Sequence, residues 1–258
     1  MKLAPRSILL SFFAVLASVV ASAQVVPHVA YGTLEGGTWR TTIVLVNKSS
    51  VKGTVPVTFY DPQGAARPTP ANGSTASTHT VNLPANGSAR VVVEDDAAPL
   101  TVGWMRAVPP PEILIGIQAV LRQKVASRPD FETLVPASAL MPPVNCLVPL
   151  PDPVAVHALI YPFDNTGGYV TTVALVNSTA TDRTYRMEAF DETGSSILAA
   201  DVELKAGNHS AFRLDTAYPV LAGRRGTIRF NAGPQTLGVQ AFLFGQSGPF
   251  TTVLPIEQ

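Results

Sequence analysis

Four histidines, one cysteine and a short acidic run carry most of the chemistry this chain has to offer. His28, His79, His157 and His209 stand far apart in sequence. No His-x-x-x-His or His-Glu-x-x-His pair occurs, so no helix face presents two imidazoles at the spacing zinc sites use. Gly-x-Ser-x-Gly is absent, and Gly245-Gln246-Ser247-Gly248 lacks the spacing of the elbow that exposes a nucleophilic serine. Cys146 is the sole cysteine, which excludes an intrachain disulfide. Its plain role is that of a small buried hydrophobe, and a free thiol open to intermolecular pairing is the alternative.

Glu94-Asp95-Asp96 is the best local set of hard oxygen ligands for calcium. Three consecutive acids point in different directions on an extended backbone, however, and no Asp-x-Asp-x-Asp-Gly loop accompanies them, so a solvated loop is expected. Asp61 and Asp191 each precede a glycine by three residues, which suits the first position of a type I turn rather than a paired acid and base. Gly36-Gly37 and Gly167-Gly168 precede strand-like segments without a phosphate-loop lysine and read as turns. No catalytic, cofactor-binding or metal residue is assigned, no cofactor is expected, and the chain is read as no enzyme. A hydrolase whose site is assembled from distant residues is the remaining enzymatic reading.

Aromatic rings supply the binding candidates. Trp39 and Tyr169 begin corresponding strands, and Trp104 lies in a later strand at a place where the second copy has Arg229 or Phe230. A ring exposed at a strand end stacks on a sugar or anchors a protein partner, whereas a buried one closes the end of a core. Five Asn-x-Ser/Thr matches, at Asn47, Asn72, Asn86, Asn177 and Asn208, fall in turn-like segments and say little about modification.

The N-terminus reads as an export signal. Lys2 and Arg6 precede an apolar run from Ile8 to Val20, and Ala21-Ser22-Ala23 supplies the small-x-small pattern a signal peptidase accepts. Residues 1–23 are therefore expected to be removed, leaving Gln24 first and no transmembrane segment in the mature chain; a retained anchor is the alternative. The 18 basic and 18 acidic residues then become 16 and 18, for a net charge of −2. The basic residues are scattered, so no nucleic-acid partner is expected.

The chain repeats itself. Trp39-Arg40-Thr41-Thr42-Ile43-Val44-Leu45-Val46-Asn47 returns 130 residues later as Tyr169-Val170-Thr171-Thr172-Val173-Ala174-Leu175-Val176-Asn177, with five of nine residues identical. Asp61 to Gly64 answers Asp191 to Gly194, Gly116 to Leu121 answers Gly238 to Leu243, and Phe131 to Pro136 answers Phe250 to Pro255. The first copy is longer through Ala65 to Ser77, whose composition marks a loop or hairpin insertion. Two tandem domains follow, 28–136 and 157–258, with Val46 and Val176 at equivalent core positions. A single fold whose two copies share one core is the alternative.

Each copy reads as strands. Val55, Val57 and Phe59 alternate with Pro56, Thr58 and Tyr60, as Tyr185, Met187 and Ala189 do with Arg186, Glu188 and Phe190. Pro56 lacks an amide donor, which places its strand at an edge or a bulge. Further strands are expected at Ser77 to Leu83, Ala89 to Val93, Leu100 to Ala107 and Ile113 to Leu121, with a helical turn only at Asp215 to Leu221. Pro136 to Pro153 holds six prolines, so residues 137–156 are expected to form an extended connector.

Thr42 to Asn47, Val55 to Gly64 and Leu83 to Ser88, with Asp164 to Thr166 and Leu204 to Gly207 in the second copy, resemble secreted bacterial proteins with tandem immunoglobulin-like repeats. The resemblance implies an all-β chain of two tandem immunoglobulin-like β-sandwich domains after a cleavable signal peptide. It carries over no catalytic residue. The implied role is a non-enzymatic structural or protein-binding component in the periplasm, at the cell surface or outside the cell. A polysaccharide-binding or adhesive module using Trp39, Trp104 or Tyr169 is the alternative.

Overall fold

The structure, a computed structural model, describes residues 23–34, 37–127, 129–140, 158–231, 236–246 and 249–257. Residues 1–22 of the expected signal, residues 141–156 of the expected connector, Cys146 and His157 lie outside the described residues. The first half contributes β1 (Ala23–Leu34), β2 (Gly37–Asn47), β3 (Gly53–Tyr60), β4 (Thr69–Ala71), β5 (Ser74–Ala76) and β6 (Thr78–Leu83). It continues with β7 (Ser88–Val93), β8 (Thr101–Ala107), β9 (Ile115–Val125), β10 (Phe131–Pro136) and β11 (Ser138–Leu140). The second half contributes β12 (Ala158–Asp164), β13 (Val170–Asn177), β14 (Arg183–Asp191), β15 (Ser196–Leu204) and β16 (His209–Arg213). After a helical turn, α1 (Leu214–Ala217), come β17 (Arg225–Asn231), β18 (Leu237–Phe244), β19 (Phe250–Val253) and β20 (Ile256–Glu257). The protein is all-β, with the helical segment where one was expected.

The two halves share one strand order. In the second, one sheet runs β20-β12-β17-β14-β15 and the other β19-β18-β13-β16. In the first, the corresponding runs are β11-β1-β8-β3-β6 and β10-β9-β2-β7, the latter extended by β4 and β5. The β4–β5 hairpin is the insertion, and Asn72 and Gly73 at its tip take φ of 50° and 77°, as a two-residue hairpin turn requires. The halves differ at β1, which leaves β8 after Tyr31 and pairs with β2 from Gly32, so that both sheets of the first half form one ladder. Gly32 permits this: φ is +98°, and a Cβ there would lie 2.4 Å from the Pro99 carbonyl oxygen.

Alternation puts one face of each sheet inward. In the second half Tyr161, Tyr185, Met187, Ile228 and Phe230 meet Val173, Leu175, Val239 and Ala241 from the opposite sheet. Phe59, Met105, Ile43 and Leu45 do the same in the first half, where each fully buried side chain stabilises by about 1.5–3 kcal/mol. The repeated Asp-x-x-Gly segments form the expected turns. Asp61 Oδ1 accepts the N–H groups of Gln63 and Ala65, Asp191 Oδ1 those of Thr193 and Ser195, and Gly64 and Gly194 both take φ of +84°.

Four expectations are corrected. β3 is not an edge strand, since β6 and β8 flank it; its pairing with β8 ends at Val57, so Pro56 sits just where one neighbour has gone. The first half extends beyond 28–136, because β1 begins at Ala23 and pairs with β11 within the expected connector. Residues 137–140 contain no proline and keep every amide donor. Trp104 corresponds to Thr227, two positions before Arg229: Trp104 pairs with Tyr60 as Thr227 pairs with Phe190. Finally, Val46 and Val176 share a register position but both point away from their own core. Val46 is 41% exposed, and Val176 is buried only because the first half covers it.

Candidate functional site

The residues with chemical potential are held by the fold in distinct ways. Glu94 pairs with Arg40 at 3.0 Å, Asp95 accepts the Ala97 N–H, and the Asp96 side chain is exposed. Among the described residues, no three His, Cys, Asp or Glu side chains converge. His79 Nε2 donates toward the carbonyls of Thr69 and Ala76, both at 3.0 Å, and so fastens the inserted hairpin to β6. The sequon residues Asn47 and Asn177 are buried with their amide nitrogens donating to backbone carbonyls.

His28 and His209 are not isolated, as sequence spacing suggested. They meet across the two halves, 181 residues apart, with His28 Nδ1 and His209 Nε2 at 3.4 Å. His28 lies where the register of β1 against β8 shifts between Val26 and Val29, so an extra residue bulges toward the second half. His209 opens β16, and its backbone N–H donates to the Pro62 carbonyl of the first half's turn. Burial holds both imidazoles well below their ordinary value, at about 3 for His28 and about 4 for His209; the neighbouring His209 adds to the effect on His28. Both rings are therefore neutral at pH 7, and one ring nitrogen donates to the other.

The pair belongs to a wider junction. Ala174, Phe242 and Phe250 of the second half join the first half's core cluster, and Val176 packs with Val25, Trp104 and Tyr60. Trp104 stacks on Tyr60 at 4.1 Å and donates its indole N–H to the Gly207 carbonyl at 3.0 Å. Gly64 and Gly207 face each other so closely that a Cβ on Gly64 would lie 2.7 Å from the Gly207 backbone. The first copy has Asn86 and Ser88 where the second has Gly207 and His209, so these contacts are specific to the junction.

The three aromatic candidates do not form one platform. Trp104 is 3% exposed and enclosed by the junction, and Trp39 is half-buried against Phe250 at 5.3 Å. Tyr169 is 47% exposed beside a groove of about 470 Å³ that also involves Phe131, Leu243 and Gln246. The cavity at His28 is about 60 Å³, too small for a typical ligand.

A second site lay outside the sequence reading. At the far end of β3, Pro56, Leu83, Pro84, Val108, Pro109 and Pro110 line an open groove of about 930 Å³, with Lys52 and Glu112 at its rim. Val51, Val108 and Leu114 are about half exposed at this end. Because β8 has left, Gly53–Pro56 has β6 on one side and no strand on the other. Pro56 O accepts the Val108 N–H on the β8 side, and Phe59 N–H donates to Ser77 O on the β6 side. Strand alternation therefore turns the N–H and C=O of Thr54 toward the groove.

Fold and site together define an all-β protein of two repeated two-sheet units joined by a specific junction, with an open strand segment at one end. No family model matches the chain, and no curated protein matches its sequence. No helix among the described residues is long and apolar enough to cross a membrane.

Proposed function

We propose that this is an exported, non-enzymatic structural protein that holds an extended segment of a protein partner at the Gly53–Pro56 stretch of β3. The observation that carries this reading is the open segment itself. Thr54 offers one donor and one acceptor to an added strand, in a proline- and valine-lined groove where side chains of that strand would lodge. Export rests on Lys2, Arg6, the Ile8 to Val20 run and Ala21-Ser22-Ala23. Each unit is read as an immunoglobulin-like sandwich on the strength of the β13–β16 and β14–β17 neighbours. Its first, fourth and seventh strands, β12, β15 and β18, sit on the opposite sheets from those of the constant-domain arrangement.

A photo-crosslinker at position 108 of the full chain, used in the native exported fraction, tests the reading. A discrete protein adduct is expected, and Thr54→Pro, which removes the facing N–H, should abolish it while leaving the fold intact. An adduct indifferent to Thr54→Pro would sink strand addition. A second reading, sugar binding, is favoured only by exposed Tyr169 beside its groove. It predicts that Tyr169→Ala releases the protein from polysaccharide and that Thr54→Pro does not.

A further inference from the structure

We propose that the junction between the two units is a pH-sensitive clasp, closed while His28 and His209 are both uncharged and opened when they take up protons. The geometry makes the pair a feature of the junction alone. His28 occupies a bulge in β1, whereas the corresponding β12 pairs with β17 without a break from Ala158 to Asp164. His209 stands where the first copy has Ser88. The two nitrogens face each other at 3.4 Å, a distance that requires at least one of them to act as an acceptor.

His28 shares its small cavity with Trp39 from β2, Leu121 from β9, Thr172 and Ala174 from β13, Phe242 from β18 and Phe250 from β19, and the neutral amide of Gln240 is buried opposite Ala174. Among the described residues, no carboxylate or guanidinium shifts either ring. Arg213, opposite Thr172, is exposed and paired with Asp215 at 2.7 Å. One proton thus places a cation among apolar side chains, and a second turns both facing nitrogens into donors.

The sign follows from linkage. In separated units both histidines return to their ordinary value near 6.5, so the closed junction binds fewer protons than the open one. Closure is at full strength above about pH 6.5 and weakens as pH falls toward the values of about 3 and about 4 held in the closed state. Between pH 7 and pH 5 the closing equilibrium falls by about 25-fold for each histidine, or roughly 600-fold for both.

The chain reports on this clasp through its own fluorescence, because its two tryptophans, Trp39 and Trp104, both lie at the junction. On titrating the full-length mature chain from pH 7 to pH 4.5, tryptophan emission should shift to the red and small-angle scattering should show elongation. Far-UV circular dichroism should stay constant. The double variant His28→Gln, His209→Gln should lose this response, either by remaining closed throughout or by being open already at pH 7. The idea fails if emission and scattering of the wild-type chain do not move. It also fails if the response persists in the double variant, or if β-structure is lost in step with the emission change.

Discussion

Asn177 closes the repeated strand β13, and its replacement by alanine is expected to destabilise the protein by about 3 kcal/mol. The side chain is fully buried. Its Nδ2 donates toward the carbonyls of Thr181, Leu204 and Lys205 at 2.8–3.1 Å, and its Oδ1 accepts from the Thr179 N–H, the Thr179 hydroxyl and the Tyr185 hydroxyl. Several of these groups have a second partner: Tyr185 reaches the Thr236 carbonyl, the Thr179 hydroxyl reaches Thr181 O, and Lys205 O accepts the Asn208 N–H. The Leu204 C=O keeps its place opposite Arg183 in the β14–β15 ladder, so the part-buried Thr179 N–H bears the larger loss, about 1–3 kcal/mol for a group deprived of its bond. Asn47 makes the corresponding contacts with fewer bonds, to Val51 O, Pro84 O and the Ser49 N–H, so Asn47→Ala should cost about 2 kcal/mol. Asn177→Asp should cost more than alanine, because a carboxylate oxygen would then face three carbonyls. Urea unfolding followed by circular dichroism measures all three. A loss below about 1 kcal/mol for Asn177→Ala, or a larger loss at Asn47, would refute the assignment of these side chains as buried fasteners.

Two further outcomes are expected. A Cβ on Gly103 would lie 2.2 Å from Tyr60 O, and one on Gly226 2.0 Å from Phe190 O, so alanine at either site should lower stability by about 1–3 kcal/mol in thermal melts. The Asp191 carboxylate is held below its usual range chiefly by the Thr193 hydroxyl, then by the Ser195 N–H, so its contribution is present above about pH 4 and lost as pH falls further. The Ser195 amide resonance should titrate in that acid window in the wild-type chain and not in Asp191→Ala.

Much of the architecture was legible because strand alternation and turn chemistry are local. Val55, Val57 and Phe59 face inward as their spacing implied, and Asp61 and Asp191 bond the turns they open. The junction was not legible. A period of two separates the two faces of β13, but nothing in that period says whether Ala174 and Val176 meet water or another sheet. His28 and His209 are brought together by a bulge and by the docking of whole units, neither of which leaves a mark in sequence spacing. Trp104 was matched to the wrong residue because β8 and β17 correspond at a different offset from β2 and β13, and only pairing to Tyr60 and Phe190 reveals it. The groove at β3 escaped notice for a related reason. Pro56 signalled a missing partner, but the place where β8 peels away is a property of two strands rather than one.

The most direct test of binding without chemistry is to measure partner capture by a set of folded full-length variants side by side. His28→Asn, His79→Asn, His157→Asn, His209→Asn and Cys146→Ser should each retain capture at neutral pH, while Thr54→Pro and Val108→Asp should lose it. A reproducible turnover activity abolished in one folded histidine or cysteine variant, with capture unaffected by Thr54→Pro, would contradict the account and make the substituted residue the first member of a catalytic site.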